Sequence, residues 1–305
     1  MDRLEAMAVL LAAVDAGSLS AAARRLGLPL ATVSRRVAEL EAHLGARLLT
    51  RSSRRLTLTD AGRSYAAAAK RILEEVGEAE RAAAGEYSAP KGELIVTAPI
   101  VFGRLHVLPV VMDFLRAYPE IAVRLVQVDR VIDLQENHVD LAVRIAELPD
   151  SSLIALRVGS IRRVVCASPD YFAARGTPRR PADLAAHDCV TFEGPIAPDI
   201  WAFASGETAA TIPIRPRLIV NTAEAAVDAA VAGLGVTRVL SYQAAEALSA
   251  GTLALALQDF EPPPSPVSLV YAGQGLLPQK LRAFLDFAAP RLKARLAALP
   301  GSERR

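Results

Sequence analysis

The sequence predicts an α+β multidomain chain: a small helical N-terminal part, one long connecting helix, and a larger C-terminal part of α/β design. Short helical runs are punctuated by Gly17 and by Gly27-Leu28-Pro29, and a single amphipathic run from Asp60 has no evident apolar partner nearby. Beyond Ala89-Pro90-Lys91-Gly92, strand-like and helix-like segments alternate. At 305 residues, 52% hydrophobic and 22% charged, the chain can bury substantial cores, and its length fits two or three domains.

Leu4, Met7, Ala8, Leu11 and Val14 recur at helical spacing until Gly17 stops them with a residue suited to a left-handed cap. Ser18 is placed to cap a short second helix, Ser18 to Leu26. A third, Leu30 to Leu44, turns Val33, Val37, Leu40 and Leu44 to one face and ends at Gly45. Two short helices joined by a Gly-containing turn make a helix-turn-helix candidate. From Arg47 to Leu58 apolar and polar residues alternate at both ends around a cationic centre, which reads as a small β-hairpin wing. Thr59-Asp60-Ala61-Gly62 then opens a long helix, Asp60 to Tyr87, with Ala61, Tyr65, Ala68, Ile72, Val76, Ala79 and Ala83 as its apolar stripe; such a helix usually packs on a twin.

After residue 92 the expected order is strand Leu94–Thr97, helix Phe102–Tyr118, strand Val123–Val128, short helix Val131–Asn137 and strand Leu141–Ile145. That order indicates a parallel α/β sheet. The mixture continues to a last helix from Pro278 to about residue 298, followed by a frayed tail.

The net charge of +2 is a small difference between 35 basic and 33 acidic residues, so a nucleic-acid signal must be local. Only Cys166 and Cys189 occur, without a C-x-x-C or zinc pattern, which favours free thiols in a reducing compartment. Met1 to Ala16 is neither a signal peptide nor a membrane span, so a cytoplasmic protein is expected.

Ala21-Ala22-Ala23-Arg24-Arg25-Leu26, Val33-Ser34-Arg35-Arg36-Val37, Glu39-Leu40-Glu41, Leu44-Gly45-Ala46-Arg47-Leu48-Leu49-Thr50-Arg51 and Leu58-Thr59-Asp60-Ala61-Gly62 together closely resemble the signature of LysR-type transcriptional regulators. The resemblance continues through Thr97-Ala98-Pro99, Asp140-Leu141-Ala142-Val143-Arg144-Ile145 and Gly233-Leu234-Gly235, so it spans essentially the whole chain. It implies a winged helix-turn-helix in residues 1–59, a linker and dimerisation helix in 60–88, an effector-binding domain in 89–300 and a tail in 301–305. The effector domain would resemble a two-lobed periplasmic solute-binding protein, with lobe I about 93–162 and 268–298 and lobe II about 163–267. The implied function is a sequence-specific DNA-binding regulator modulated by a small-molecule effector. Its partners would be an operator with inverted-repeat half-sites and further copies of the chain, as a homodimer or homotetramer. One departure is Pro29-Leu30-Ala31, where the family commonly has Ser-Gln-Pro or Ser-Gln-Ala; without the amide an adenine contact is lost.

The residues support this reading independently. With Val33, Val37 and Leu40 inward, Leu30, Thr32, Ser34, Arg35 and Arg36 fall on or beside the part of the helix that enters a major groove, where Arg pairs with guanine. Arg51, Arg54 and Arg55 on the wing would meet phosphates or the minor groove. The helix start at Ser18 offers N–H groups to a phosphate. For the effector, Thr97 with Pro99 and Asn221-Thr222 lie at strand ends before helices, where ligands of such sheets collect. Arg144 suits a carboxylate or an interlobe salt bridge, and the expected ligand is a small organic anion or polar metabolite. Trp201 is counted with the effector-contacting residues, and Phe203 is read as core.

No G-x-S-x-G elbow, Walker A loop or strand-linked G-x-G-x-x-G is present, so no catalytic residue or cofactor is expected. Four scattered histidines leave only His187 and Cys189 close together, and two ligands do not make a metal site. An enzyme and a solute-binding module without DNA activity are the competing classes.

Overall fold

Asp2 starts the first helix: its carboxylate accepts from the N–H groups of Leu4 and Glu5, at 2.9 and 3.3 Å, and α1 runs Arg3–Asp15. Gly17, with φ of +68°, turns the chain into α2 (Leu19–Leu26), and Gly27, also left-handed, turns it into α3 (Leu30–Leu44). Val9, Leu10, Ala13, Ala22, Val33, Val37 and Leu40 close a small core between the three. Glu41, on the last turns of α3, accepts from the N–H groups of Leu48 and Leu49 at 2.8 and 3.0 Å. That carboxylate fixes the hairpin β1 (Leu49–Arg51) and β2 (Leu56–Leu58) against α3. The computed structural model describes residues 2–51, 56–83, 89–193, 199–205, 208–273 and 277–299, which form two units, Met1–Gly92 and Glu93–Arg305.

Thr59 joins the hairpin to α4 (Asp60–Ala83): its N–H donates to the Leu48 carbonyl, while its hydroxyl donates to Arg47 and accepts from the Gly62 N–H at 2.9 Å. The expectation that this helix has no partner in its own chain is corrected. It packs on α1 and β2, burying Gly62, Ala66 and Ala69 on a face offset from the predicted stripe. Ala61, Ile72 and Ala79 of that stripe stay exposed.

β3 (Gly92–Ala98) leads from the first unit into the second, which continues with a helix made of α5 (Ile100–Phe102), a π turn (Gly103–Val107) and α6 (Leu108–Ala117), then β4 (Ile121–Gln127), β5 (Leu141–Ile145) and β6 (Leu153–Ile161). The expected helix at Val131–Asn137 is instead a series of turns, held by Asp133 accepting from the N–H groups of Gln135 and Glu136. The chain then builds β7 (Arg163–Ala167), α7 (Pro169–Arg175), β8 (Cys189–Phe192), the hairpin β9 (Ile200–Ser205) and β10 (Thr208–Pro213), and β11 (Pro216–Val220). It continues with α8 (Ala223–Val231), β12 (Val236–Leu240), α9 (Ala245–Ser249) and β13 (Ala254–Ala256), and closes with β14 (Ser265–Ala272) and α10 (Gln279–Ala297).

These strands form two five-stranded sheets, β4-β3-β5-β14-β6 in lobe I and β11-β8-β12-β7-β13 in lobe II. Both are mixed, which corrects the expected parallel sheet. β3 and β5 run parallel, but β14 is antiparallel to β5 and β6 because it re-enters lobe I from lobe II. Phe102, Phe114, Leu269 and Phe284 centre the lobe I core. The two crossings between lobes are tied by a bidentate pair in which Arg162 donates to both carboxylate oxygens of Glu261, at 2.7 and 2.8 Å.

Cys166 and Cys189 are both free and fully buried in lobe II. Cys166 belongs to the layer with Val164 and Val239, and Cys189 to the layer with Phe172 and Trp201. Burial pushes the two thiols up to about 12 and about 11.

Candidate nucleic-acid interface and ligand cavity

The helix-turn-helix is set by its caps. Ser18 is extended and its hydroxyl accepts from the Ala21 N–H at 3.1 Å, so the side chain is committed to the cap while the helix start stays open. Arg25 donates to the Ala12 carbonyl at 3.0 Å, which braces α2 on α1. On α3, Val33, Val37 and Leu40 point inward. Leu30, 49% exposed, and Arg35 point outward, with Thr32 and Ser34 half-buried between them. Arg35 is loosely paired with Glu39 at 3.9 Å.

Arg36 does not project freely, which corrects the sequence expectation. Its guanidinium reaches back to Glu5 on α1 at 2.6 Å and its side chain is only 22% exposed. A helical wheel places it at the border of the outer face, and the neighbouring helix supplies the carboxylate that draws it in. Arg51 ends β1, and its side chain lies outside the described part of the structure, as do Arg54 and Arg55 entirely.

In lobe I a cavity of about 820 Å³ is lined by Thr97, Pro99 and Arg144. Thr97, Ala142 and Val270 occupy paired positions of β3, β5 and β14, and Arg144 lies two residues beyond Ala142, on the same face of the sheet. The segment 128–134 and the loop 146–151 complete its wall. Arg144 donates to the Ile132 carbonyl, a bond that anchors the first of those segments. Burial holds its guanidinium below its ordinary value, and Asp133 partly offsets that.

Asn221 and Thr222 do not line this cavity; they belong to lobe II. The Thr222 hydroxyl caps α8, accepting from the Ala225 N–H at 3.3 Å. Two residues on, Glu224 meets Arg104 of lobe I at 2.8 Å, an exposed ion pair between the lobes. Trp201 is 4% exposed and packs with Phe203, Tyr171 and Leu184 in the lobe II core, so its placement in the effector site is corrected. The β9–β10 hairpin turns Trp201 and Phe203 inward together and leaves Ile200 outward. Sequence reading passed over Arg104, Glu224 and the half-buried Arg163 and Arg238, which lie on strands β7 and β12.

Among the described residues no group of His, Cys, Asp and Glu is arranged to hold a metal ion. No single described helix is long and apolar enough to cross a membrane; the bent pair α1 and α2 passes by composition and forms the core of the first unit.

A helix-turn-helix with an exposed recognition face, followed by a two-lobed α/β unit containing a cavity, defines a ligand-responsive transcriptional regulator. The chain belongs to the LysR family: residues 4–63 match the bacterial regulatory helix-turn-helix protein of the lysR family, and residues 88–293 match the LysR substrate binding domain. An HTH-type transcriptional regulator of Xanthomonas campestris is 36% identical over 283 residues, covering 92% of this chain and 82% of the relative. An HTH-type transcriptional repressor of Pseudomonas aeruginosa is 35% identical, covering 94% and 91%. The solved structure of CrgA, a LysR-type regulator from Neisseria meningitidis, superposes with a TM-score of 0.60 at 32% identity, covering 94% of this chain and 98% of CrgA. The full-length Vibrio cholerae virulence activator AphB gives 0.60 at 26% identity with the same coverage.

Proposed function

We propose that this regulator reads an inverted-repeat operator through α3, with residues 1–59 as the DNA-binding domain, 60–88 as the dimerising helix and 89–300 as the effector-binding domain. The observation that carries the reading is the outer face of α3, where Leu30 and Arg35 are exposed and Thr32 and Ser34 half-buried. In a major groove Arg35 exchanges its weak contact with Glu39 for a guanine, and the exposed Leu30 suits a thymine methyl. The N–H groups opening α2 at Ser18 meet a phosphate, and Arg51, Arg54 and Arg55 on the wing meet the backbone or minor groove. Such a protein acts where the chromosome is, in the cytoplasm, and needs no catalytic group of its own.

Arg35→Ala is expected to weaken cognate operator binding by ~1–3 kcal/mol and to relax base preference at one position of each half-site. Arg54→Ala is expected instead to weaken all duplexes alike and to lower the salt slope by about one. Gel shifts against DNA flanking the protein's own gene, at several salt concentrations, test both; unchanged affinity and slope in both variants would exclude this groove assignment.

The effector, a small organic anion or polar metabolite, binds at the effector domain with Thr97, Pro99 and Arg144 lining the lobe I cavity, and Asn221-Thr222 of lobe II, outside that cavity, reach it only in a second lobe arrangement. The cavity volume suits a small molecule, and the Arg104–Glu224 contact gives the lobes a link that a ligand can reinforce or replace. Differential affinity for two lobe arrangements then alters the spacing of the paired heads. Arg144→Ala removes both a cation from the cavity and the anchor on Ile132, so effector affinity is expected to fall by about tenfold or more. Calorimetry with a panel of aromatic and short-chain acids decides it, and a hit indifferent to the substitution takes Arg144 out of the site.

A further inference from the structure

Strands β7 and β12 pair antiparallel with Arg238 opposite Val165 and Leu240 opposite Arg163. Cross-strand partners share a face, as do residues two apart, so Arg163 and Arg238 are diagonal neighbours on one face of the lobe II sheet. They share it with the aromatic core: the Arg238 guanidinium carbon lies 5.6 Å from the centre of the Phe203 ring. Both side chains are half-buried, and neither is in any salt bridge or side-chain hydrogen bond among the described residues. The Arg238 Nε is sealed from solvent with no acceptor.

Tyr242, just past the end of β12, feels the charges of Asp129 from lobe I and of Arg163 and Glu224 from lobe II, and both carboxylates have partners elsewhere. Asp129 accepts from the Ile100 N–H at 3.0 Å, and Glu224 is held by Arg104 at 2.8 Å. Burial, reinforced by the Arg163 charge, pushes Arg238 down to about 9. Burial lowers Arg163 in the same direction. Two desolvated like charges without a counter-ion destabilise a fold, and an anion hydrogen-bonded to both removes the repulsion and satisfies the idle donors together.

We propose that Arg163 and Arg238 form an oxyanion-binding site at the interlobe end of the lobe II sheet, and that the effector's carboxylate or phosphate accepts hydrogen bonds from both guanidinium groups. This rests on the reading that an effector enters the C-terminal unit. It adds an arginine pair in lobe II to Arg144 of lobe I as groups that meet the ligand's charge.

Thermal melting of the full-length, ligand-free protein tests the electrostatic premise. Arg238→Gln relieves the like-charge pair, so its melting temperature is expected to lie about 2–4 °C above wild type. A drop instead means that the arginine holds the fold together, and overturns the site. Calorimetry with inorganic phosphate, succinate, benzoate and neutral benzamide then tests binding. At least one oxyanion is expected to bind wild type and to bind both Arg163→Gln and Arg238→Gln at least tenfold more weakly, with benzamide inert. Phosphate alone would assign a phosphorylated ligand, and succinate or benzoate alone a carboxylate. An oxyanion that both variants bind as wild type does, benzamide binding as tightly as benzoate, or no oxyanion binding at millimolar concentration each overturns the inference. A neutral hit weakened only by Arg144→Ala would do so while leaving the effector reading in place.

Discussion

Gly62→Ala is expected to destabilise the N-terminal unit strongly and to weaken operator binding. A Cβ at this position would sit 2.0 Å from the Leu48 carbonyl oxygen and 2.8 Å from its carbon, both backbone atoms. No rotamer change relieves such a contact, so either α4 lifts from the hairpin or the hairpin moves. Moving the hairpin strains the bonds that Glu41 makes to Leu48 and that Thr59 makes to the carbonyls of Arg47 and Leu48. Overpacking costs about 1–3 kcal/mol where side chains can adjust, and here, with backbone on one side, at least the upper end of that range. Against a domain stability of about 5–15 kcal/mol, that is a large fraction for a unit this small. Hydrogen exchange on the full chain checks it: amides of α1 and α3 lose protection while those of β12 and β14 keep theirs. Wild-type protection throughout would contradict the close approach.

Ile72→Asp is expected to cause the largest loss of DNA affinity. Ile72 is 39% exposed on α4, on the side that still shows Ala61 and Ala79, while the opposite side is taken up by α1. If two such helices pair, a carboxylate at the seam separates them. Each head then loses the effective concentration that the other provides, which is worth about 10²–10⁴-fold in apparent affinity. Light scattering and gel shifts on the same preparations read both effects, and a wild-type protein monomeric at working concentration would sink the account.

The first three helices were legible because their punctuation is local: Gly17, Ser18, Gly27 and Gly45 each act within a few residues of where they stand. The partner of α4 was not, because the residues it buries face α1 some 50 positions earlier in the sequence, and spacing alone cannot tell a twin helix from an intramolecular one. β6 went unseen because Arg157, Gly159 and Ser160 interrupt its apolar pattern; its strand conformation comes from pairing along its length with β14, more than 100 residues later. Likewise Thr97 and Arg144 were recognisable singly, as residues at strand ends, but their common cavity depends on β3 lying beside β5. Arg36 and Trp201 were misplaced for one reason: which side of an element is open depends on what covers it, Glu5 in one case and the lobe II core in the other. The Arg163–Arg238 pair needs the register of two strands about 75 residues apart before it exists at all.

The two cysteines give the molecule a practical property. Reactive dyes attack the thiolate, and burial keeps both native thiols protonated and out of reach. The native chain is therefore an unreactive background for spectroscopy. A single cysteine introduced at the exposed Met112, away from α4, would carry the label alone, so distances between copies of the chain, with and without DNA or ligand, become measurable without first removing any natural residue.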